Sequence, residues 1–113
     1  MISFEDPLAL VVRVFEELYP TTSVEVVFVY GLHSEEECWG ATDLETGSVP
    51  VIQIDVATPL CGAVEVLGHE LAHVVAGLKA QHGPAWEAVF AAINERYNEK
   101  VESGDASWSG VTR

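Results

Sequence analysis

The 113-residue sequence is poor in basic residues: 5 lysines and arginines stand against 18 acidic residues, for a formal net charge of -13. A surface of that sign repels phosphate groups, so we expect no direct binding to nucleic acid and no unaided attachment to an anionic membrane. The acidic excess either serves solubility alone or favours basic protein and peptide partners. The sequence also has no basic, apolar leader and no apolar run of about 18 residues, which predicts a cytoplasmic protein without a membrane span.

Cysteine is scarce as well, since Cys38 and Cys61 are the two in the chain and do not form a Cys-x-x-Cys pair. This excludes a disulfide framework and a zinc ribbon, and predicts reduced, buried thiols. Hydrophobic residues nevertheless make up 49% of the chain, which is typical of a folded protein. The length predicts a single domain over residues 1–100, and the serine and glycine content of 101–113 predicts a flexible C-terminal tail.

Apolar residues at helical spacing predict three helices. Two of them begin with an acceptor side chain followed by proline, Asp6-Pro7 and Thr58-Pro59, which is the usual start of a helix. The predicted helices are Pro7 to Tyr19, Pro59 to about Gly77, and Pro84 to about Lys100.

Runs rich in β-branched and aromatic residues predict three strands, "SVEVVFVYG", "CWGATDL" and "VPVIQIDV". The first is nearly continuous in apolar residues and is therefore expected to be largely buried. The other two are joined by the turn-rich "ETGS" and are expected to form a hairpin. Together with the helices, these elements predict an α+β fold with a small, mostly antiparallel sheet.

The second predicted helix contains "HELAH", residues 69–73. Because residues four apart lie on one helical face, His69 and His73 can bind the same metal ion. Apolar residues cluster on the opposite side of the helix, so the histidines are expected to face a cleft. This pairing of residue types at this spacing favours a zinc site over two structural histidines.

Two histidines leave a catalytic zinc one protein ligand short. The candidates for the third ligand are His82, Glu87, Glu95 and the distant His33. Glu95 lies opposite the apolar face of the third helix and Glu87 about 100° from it, so neither is well aimed at a buried ion. Gly77, in contrast, can end the second helix, and the segment "LKAQHG" can turn the chain back toward His69 and His73. We therefore predict His82, with Glu87 as the second choice and a plain loop residue as the alternative reading of His82.

The combination of "HELAH" and "HGPAW" resembles the SprT-like zinc metallopeptidases, chiefly over residues 60–98. The third histidine follows the second by nine positions, which does not fit the six of metzincins. The resemblance implies a zincin-like fold with Zn²⁺ bound by His69, His73 and His82, and Glu70 as the catalytic glutamate. It also implies that a strand such as "VIQID" pairs with an extended peptide substrate.

The leading hypothesis is a zinc-dependent metallopeptidase that hydrolyses a protein or peptide by means of a water on the zinc, with Glu70 as its base. Glu65, one turn before His69, is read as a solvated acid at the rim of the cleft. Tyr30 and His33 are considered as groups that stabilise the oxyanion. The alternative hypothesis is a non-catalytic, zinc-stabilised module for protein interaction.

Overall fold

The computed structural model describes residues 6–32, 39–44, 49–77 and 81–103. The predicted turn at 45–48, His33, Cys38 and the tail from residue 104 onward lie outside the described residues. The elements confirm an α+β fold, and none of the described helices is long and apolar enough to cross a membrane. In chain order they are α1 (Pro7–Leu18), β1 (Glu25–Val29), β2 (Gly40–Asp43), β3 (Val51–Asp55), α2 (Leu60–Ala76) and α3 (Pro84–Ser103).

The start of α1 matches its sequence signal, but the start of α2 does not. Asp6 accepts a hydrogen bond from the backbone N–H of Leu8 at 2.9 Å, and Pro7 occupies the first turn. In α2, by contrast, Pro59 is the N-cap residue and no side chain caps the helix. Thr58 was predicted to cap it, but its hydroxyl donates instead to the backbone oxygen of Asp55 at 2.7 Å.

The last helix, α3, continues three residues beyond the predicted end at Lys100. The ammonium of Lys100 lies 3.0 Å from a carboxylate oxygen of Glu17 on α1, and Lys100 is only 9% exposed. Contacts of this kind stabilise a final turn whose local sequence alone would not mark it as helical. Residues 101–103, assigned from the sequence to the tail, are therefore part of the helix.

The sheet is mixed rather than mostly antiparallel, with strand order β1-β3-β2. The predicted hairpin is confirmed, because β2 pairs antiparallel with β3. The other pair, β1 with β3, is parallel. β3 is the last of the three strands along the chain and lies between β1 and β2 in the sheet. The strand "VIQID" is thus the central strand, with neighbours on both sides, and the prediction that it pairs with a substrate is wrong.

The core is built around α2, which packs between the sheet and the other two helices. Ile52 and Ile54 of β3 and Leu67 and Leu71 of α2 have no exposed surface. The prediction of a largely buried β1 is wrong, since Phe28 is 53% exposed at this edge of the sheet. The remaining members of the core cluster are Val11, Val14, Phe15, Ala63 and Ile93.

Candidate metal centre

Helix α2 places His69 and His73 one turn apart, with their ring centroids separated by 5.0 Å. Because Leu67 and Leu71 are anchored in the core, the rotation of the helix about its axis is set, and the two imidazoles project together beside the first turn of α3. His73 is only 9% exposed, whereas the side chain of His69 is 34% exposed. The pair thus sits at the edge of the core and is open to solvent on one side.

His82 is brought to this pair by a reversal of the chain after α2. Gly77 ends the helix with φ 86° and ψ 153°, a conformation available essentially to glycine alone. Gln81 then adopts φ 50°, in the left-handed region, directly before His82. Gly77 therefore ends α2 as predicted, residues 78–80 of the predicted turn lie outside the described residues, and His82 lies close to both helical histidines.

The three Nε2 atoms converge. That of His82 lies 3.1 Å from that of His69 and 3.2 Å from that of His73. Tetrahedral zinc with Zn–N bonds of 2.0–2.1 Å requires ligand nitrogens about 3.3 Å apart, so these residues fit the ion. Among the described residues this is the one group of three histidine, cysteine or acidic side chains that can bind a metal ion. Imidazole also suits other transition metals, so the donor set alone does not select zinc.

The environment favours neutral histidines, which is the form that binds metal. Burial lowers the pKa of His69 and of His73 below the ordinary value of 6.5, an effect that the nearby carboxylate of Glu70 opposes only in part. A neutral imidazole has a free lone pair on one ring nitrogen, so a metal ion does not have to displace a proton from His69 or His73.

These pKa shifts predict acid destabilisation of the metal-free protein. In the unfolded chain the histidines bind protons at about pH 6.5, whereas in the folded chain His69 and His73 bind them only at lower pH. Unfolding therefore takes up protons, and the free energy of unfolding should fall as the pH drops from 6.5 through the lowered pKa values. Urea unfolding in the presence of chelator at pH 7.5, 6.5 and 5.5 measures this.

The matched control for that titration is the double variant His69→Gln/His73→Gln, which should give a flatter profile over the same range. The pKa of Glu17 is lowered by its hydrogen bond with Lys100, so this carboxylate loses its stabilising charge only below 4.5, outside the window. Equal slopes for the two proteins between pH 7.5 and 5.5 would contradict the assignment of the effect to these histidines.

Trp86 forms the wall behind the histidines. Its indole N–H donates to the backbone oxygen of His69 at 3.1 Å. The centroid of its ring lies 4.8, 5.8 and 4.7 Å from the ring centroids of His69, His73 and His82. Nδ1 of His73 is buried without a hydrogen-bond partner among the described residues. Packing against Trp86, rather than a hydrogen bond from that nitrogen, therefore orients the His73 ring.

Glu70 lies beside the three histidines and not among them. One carboxylate oxygen accepts a hydrogen bond from the hydroxyl of Thr42 at 2.7 Å, and the other lies 3.8 Å from Nε2 of His69. Glu70 is only 8% exposed. The approach of β2 requires Gly40, because a Cβ at that position would collide with Val66 of α2. The edge strand thus comes close enough for Thr42 to fix the orientation of the carboxylate.

The other residues considered from the sequence do not join the centre. Glu87 and Glu95 are exposed on α3 and are outside the metal-binding group. Glu65 is exposed and lines the adjoining cleft, consistent with an acid at its rim. Tyr30 is 89% exposed and is not among the residues lining the cleft, and His33 lies outside the described residues.

Thr42 was missed from the sequence, although a signal for it exists. An isolated glycine within a strand often marks a close approach of backbones. Side chains two apart lie on the same face of a strand, so Thr42 faces the same way as Gly40. The pattern Gly40-Ala41-Thr42 therefore indicates a hydroxyl directed at whatever packs against Gly40, which is α2.

Comparison with known proteins adds no family assignment. No protein-family model matches the chain, and no curated protein and no solved structure is significantly similar to it. The geometry of the three histidines and the "HELAH" motif are therefore the features that indicate a function.

Proposed function

We propose that this chain is a zinc-dependent peptidase of the SprT-like kind, with a zincin-like arrangement of its helices and sheet. The observation that carries the proposal is the convergence of three Nε2 atoms beside a buried carboxylate that belongs to the next residue along α2. His69, His73 and His82 would bind the zinc, and Glu70 would act as the base. The net charge of -13 favours basic or unfolded protein segments as substrates.

The reaction requires a carboxylate close to the metal and not bound to it. When bound, zinc would polarise the scissile carbonyl and lower the pKa of water at the site. Glu70 would accept a proton from the attacking water and return it to the leaving amine. One of its oxygens is occupied by the hydroxyl of Thr42 at 2.7 Å, so the oxygen 3.8 Å from His69 Nε2 is the one directed toward the reaction.

A non-catalytic role for the metal is the second candidate, and one observation favours it. The ion would join α2 to the segment before α3, because His82 lies outside both helices. Such a link stabilises a small fold even without catalysis. Glu70 separates the two functions, since a structural ion does not require a proton acceptor beside it, whereas the hydrolysis of a peptide does. Zinc content and protein cleavage, measured on the unmutated chain and on Glu70→Gln, test the proposal.

Thr42→Val is expected to slow cleavage without weakening zinc binding. Valine keeps the shape of threonine but cannot donate to Glu70, and a hydrogen bond to a charged group contributes about 1.5–3 kcal/mol. We expect kcat to fall on the order of tenfold or more, with KM and zinc affinity changing by less than about threefold. Steady-state kinetics on a fluorogenic peptide, together with zinc titration, measure these effects.

Thr42→Ser is the matched variant, because it restores the hydroxyl on a smaller side chain. It should recover most of the lost kcat if the hydrogen bond is responsible. A loss of equal size in the valine and serine variants would show that packing at the edge strand, and not the hydroxyl, is what matters.

A further inference from the structure

A cavity of about 560 Å³ opens directly beside the candidate metal centre. It shares His69 and Glu70 with the centre and continues along α2 toward the start of that helix. Trp39 and Gly40, at the start of β2, form the opposite side. A peptide with its scissile bond at the metal centre would lie within reach of this cavity.

The walls of the cavity are mainly apolar, from the ring of Trp39 and the side chains of Pro59 and Val66. The one hydroxyl in the wall, that of Thr58, already donates to a backbone oxygen of β3. The carboxylate of Glu65 lies at the exposed rim. The carboxylates of Glu65 and Glu70 repel an acidic side chain at this cavity.

Gly62 is the second observation that points to a ligand. Glycine inside a helix is less favourable than alanine by about 0.5–1 kcal/mol. Nothing in the described fold requires it here, because a Cβ would meet only Cγ2 of Thr58, at an ordinary 3.6 Å. The missing side chain instead enlarges the cavity one helical turn before Val66.

We propose that this cavity binds a large apolar or aromatic side chain of the substrate, next to the bond at the metal centre. The inference rests on the proposed peptidase function and names the residue class that it selects. A lysine or arginine could place its stem on the same walls and its charge at Glu65. We favour the apolar side chain because an ion pair at an exposed rim contributes only about 0–1 kcal/mol.

The test uses binding rather than turnover. The zinc-loaded protein is titrated calorimetrically with the N-acetyl hydroxamates of glycine, phenylalanine, lysine and glutamate, which present the same zinc-directed group and differ only in the side chain. Burial of the benzyl group should tighten binding relative to the glycine compound by about 10- to 100-fold. The lysine compound should gain less than about fivefold, and the glutamate compound should bind more weakly than glycine.

Two variants localise the effect. Gly62→Leu fills the cavity and should remove the advantage of the phenylalanine compound while the affinity for the glycine compound persists; Gly62→Ala adds one methyl group and should keep most of that advantage. Trp39→Ala changes the opposite wall at a residue that is 37% exposed, so it does not depend on the tolerance of α2 for leucine. It should reduce the phenylalanine advantage severalfold.

The outcomes distinguish this inference from the proposed function. Phenylalanine and glycine hydroxamates of equal affinity, a stronger preference for lysine, or a phenylalanine preference that survives both Gly62→Leu and Trp39→Ala would each overturn the apolar pocket. Cleavage of substrates without such a preference would support the peptidase function and contradict the apolar pocket. A preference for the phenylalanine compound without cleavage of any substrate would support the apolar pocket and contradict the peptidase function.

Discussion

Glu70→Gln is expected to abolish protein cleavage and to leave about one zinc ion per chain. Glutamine has the shape of glutamate, so one oxygen can still accept the hydrogen bond from Thr42, but the amide cannot take a proton from water. General base catalysis contributes about 10²–10⁴-fold, and activity should fall by at least that much. Zinc should still bind, because Glu70 is outside the group of three histidines, and the loss of the neighbouring negative charge should weaken the affinity by on the order of tenfold.

The matched control is Glu87→Gln, the same chemical change at an exposed glutamate of α3. It should retain both zinc and cleavage. Labelled basic protein and labelled unfolded protein serve as substrates, with zinc measured on the same samples. Full activity in Glu70→Gln would remove the proposed role of this residue. Zinc binding without cleavage by the unmutated chain would favour the non-catalytic reading.

The part of the candidate site that lies on one helix could be predicted from the sequence. Helical geometry places residues four apart on one face whatever the rest of the fold does, so the juxtaposition of His69 and His73 required no knowledge of tertiary contacts. His82 required one further step, the chain reversal after Gly77. The end of the helix at Gly77 could be predicted, because glycine readily adopts the backbone angles found there and few other residues do.

The parts that depend on strand pairing could not be predicted in the same way. The alternation of residues in a strand specifies which side chains share a face, and it does not specify the neighbouring strand. The parallel pairing of β1 with β3, and the resulting edge position of β2, therefore had no local signature. The contact between Thr42 and Glu70 depends on that edge position, which is why the sequence pointed to the carboxylate and not to the residue that orients it.

His82→Ala is expected to weaken zinc binding on the order of 100-fold or more, because it removes one of the three proposed ligands, and structural zinc sites of other proteins bind with about 10–16 kcal/mol in total. The variant also tests the ligand with the least support from local structure, since His82 is an exposed residue outside both α2 and α3. Competition with a chromophoric zinc chelator measures the affinity.

Stability measurements separate the loss of a ligand from damage to the fold. Removing an exposed side chain should change the free energy of unfolding of the metal-free protein by less than about 0.5 kcal/mol. Zinc at 100 times its Kd stabilises the unmutated chain by about 2.7 kcal/mol, and this increment should largely disappear in His82→Ala at the same zinc concentration. Glu87→Ala is the control, because Glu87 was the second choice for the third ligand. If Glu87→Ala lost the zinc-dependent increment and His82→Ala kept it, the close approach of the three Nε2 atoms would not reflect the ligand set, and the site would have to be rebuilt around α3.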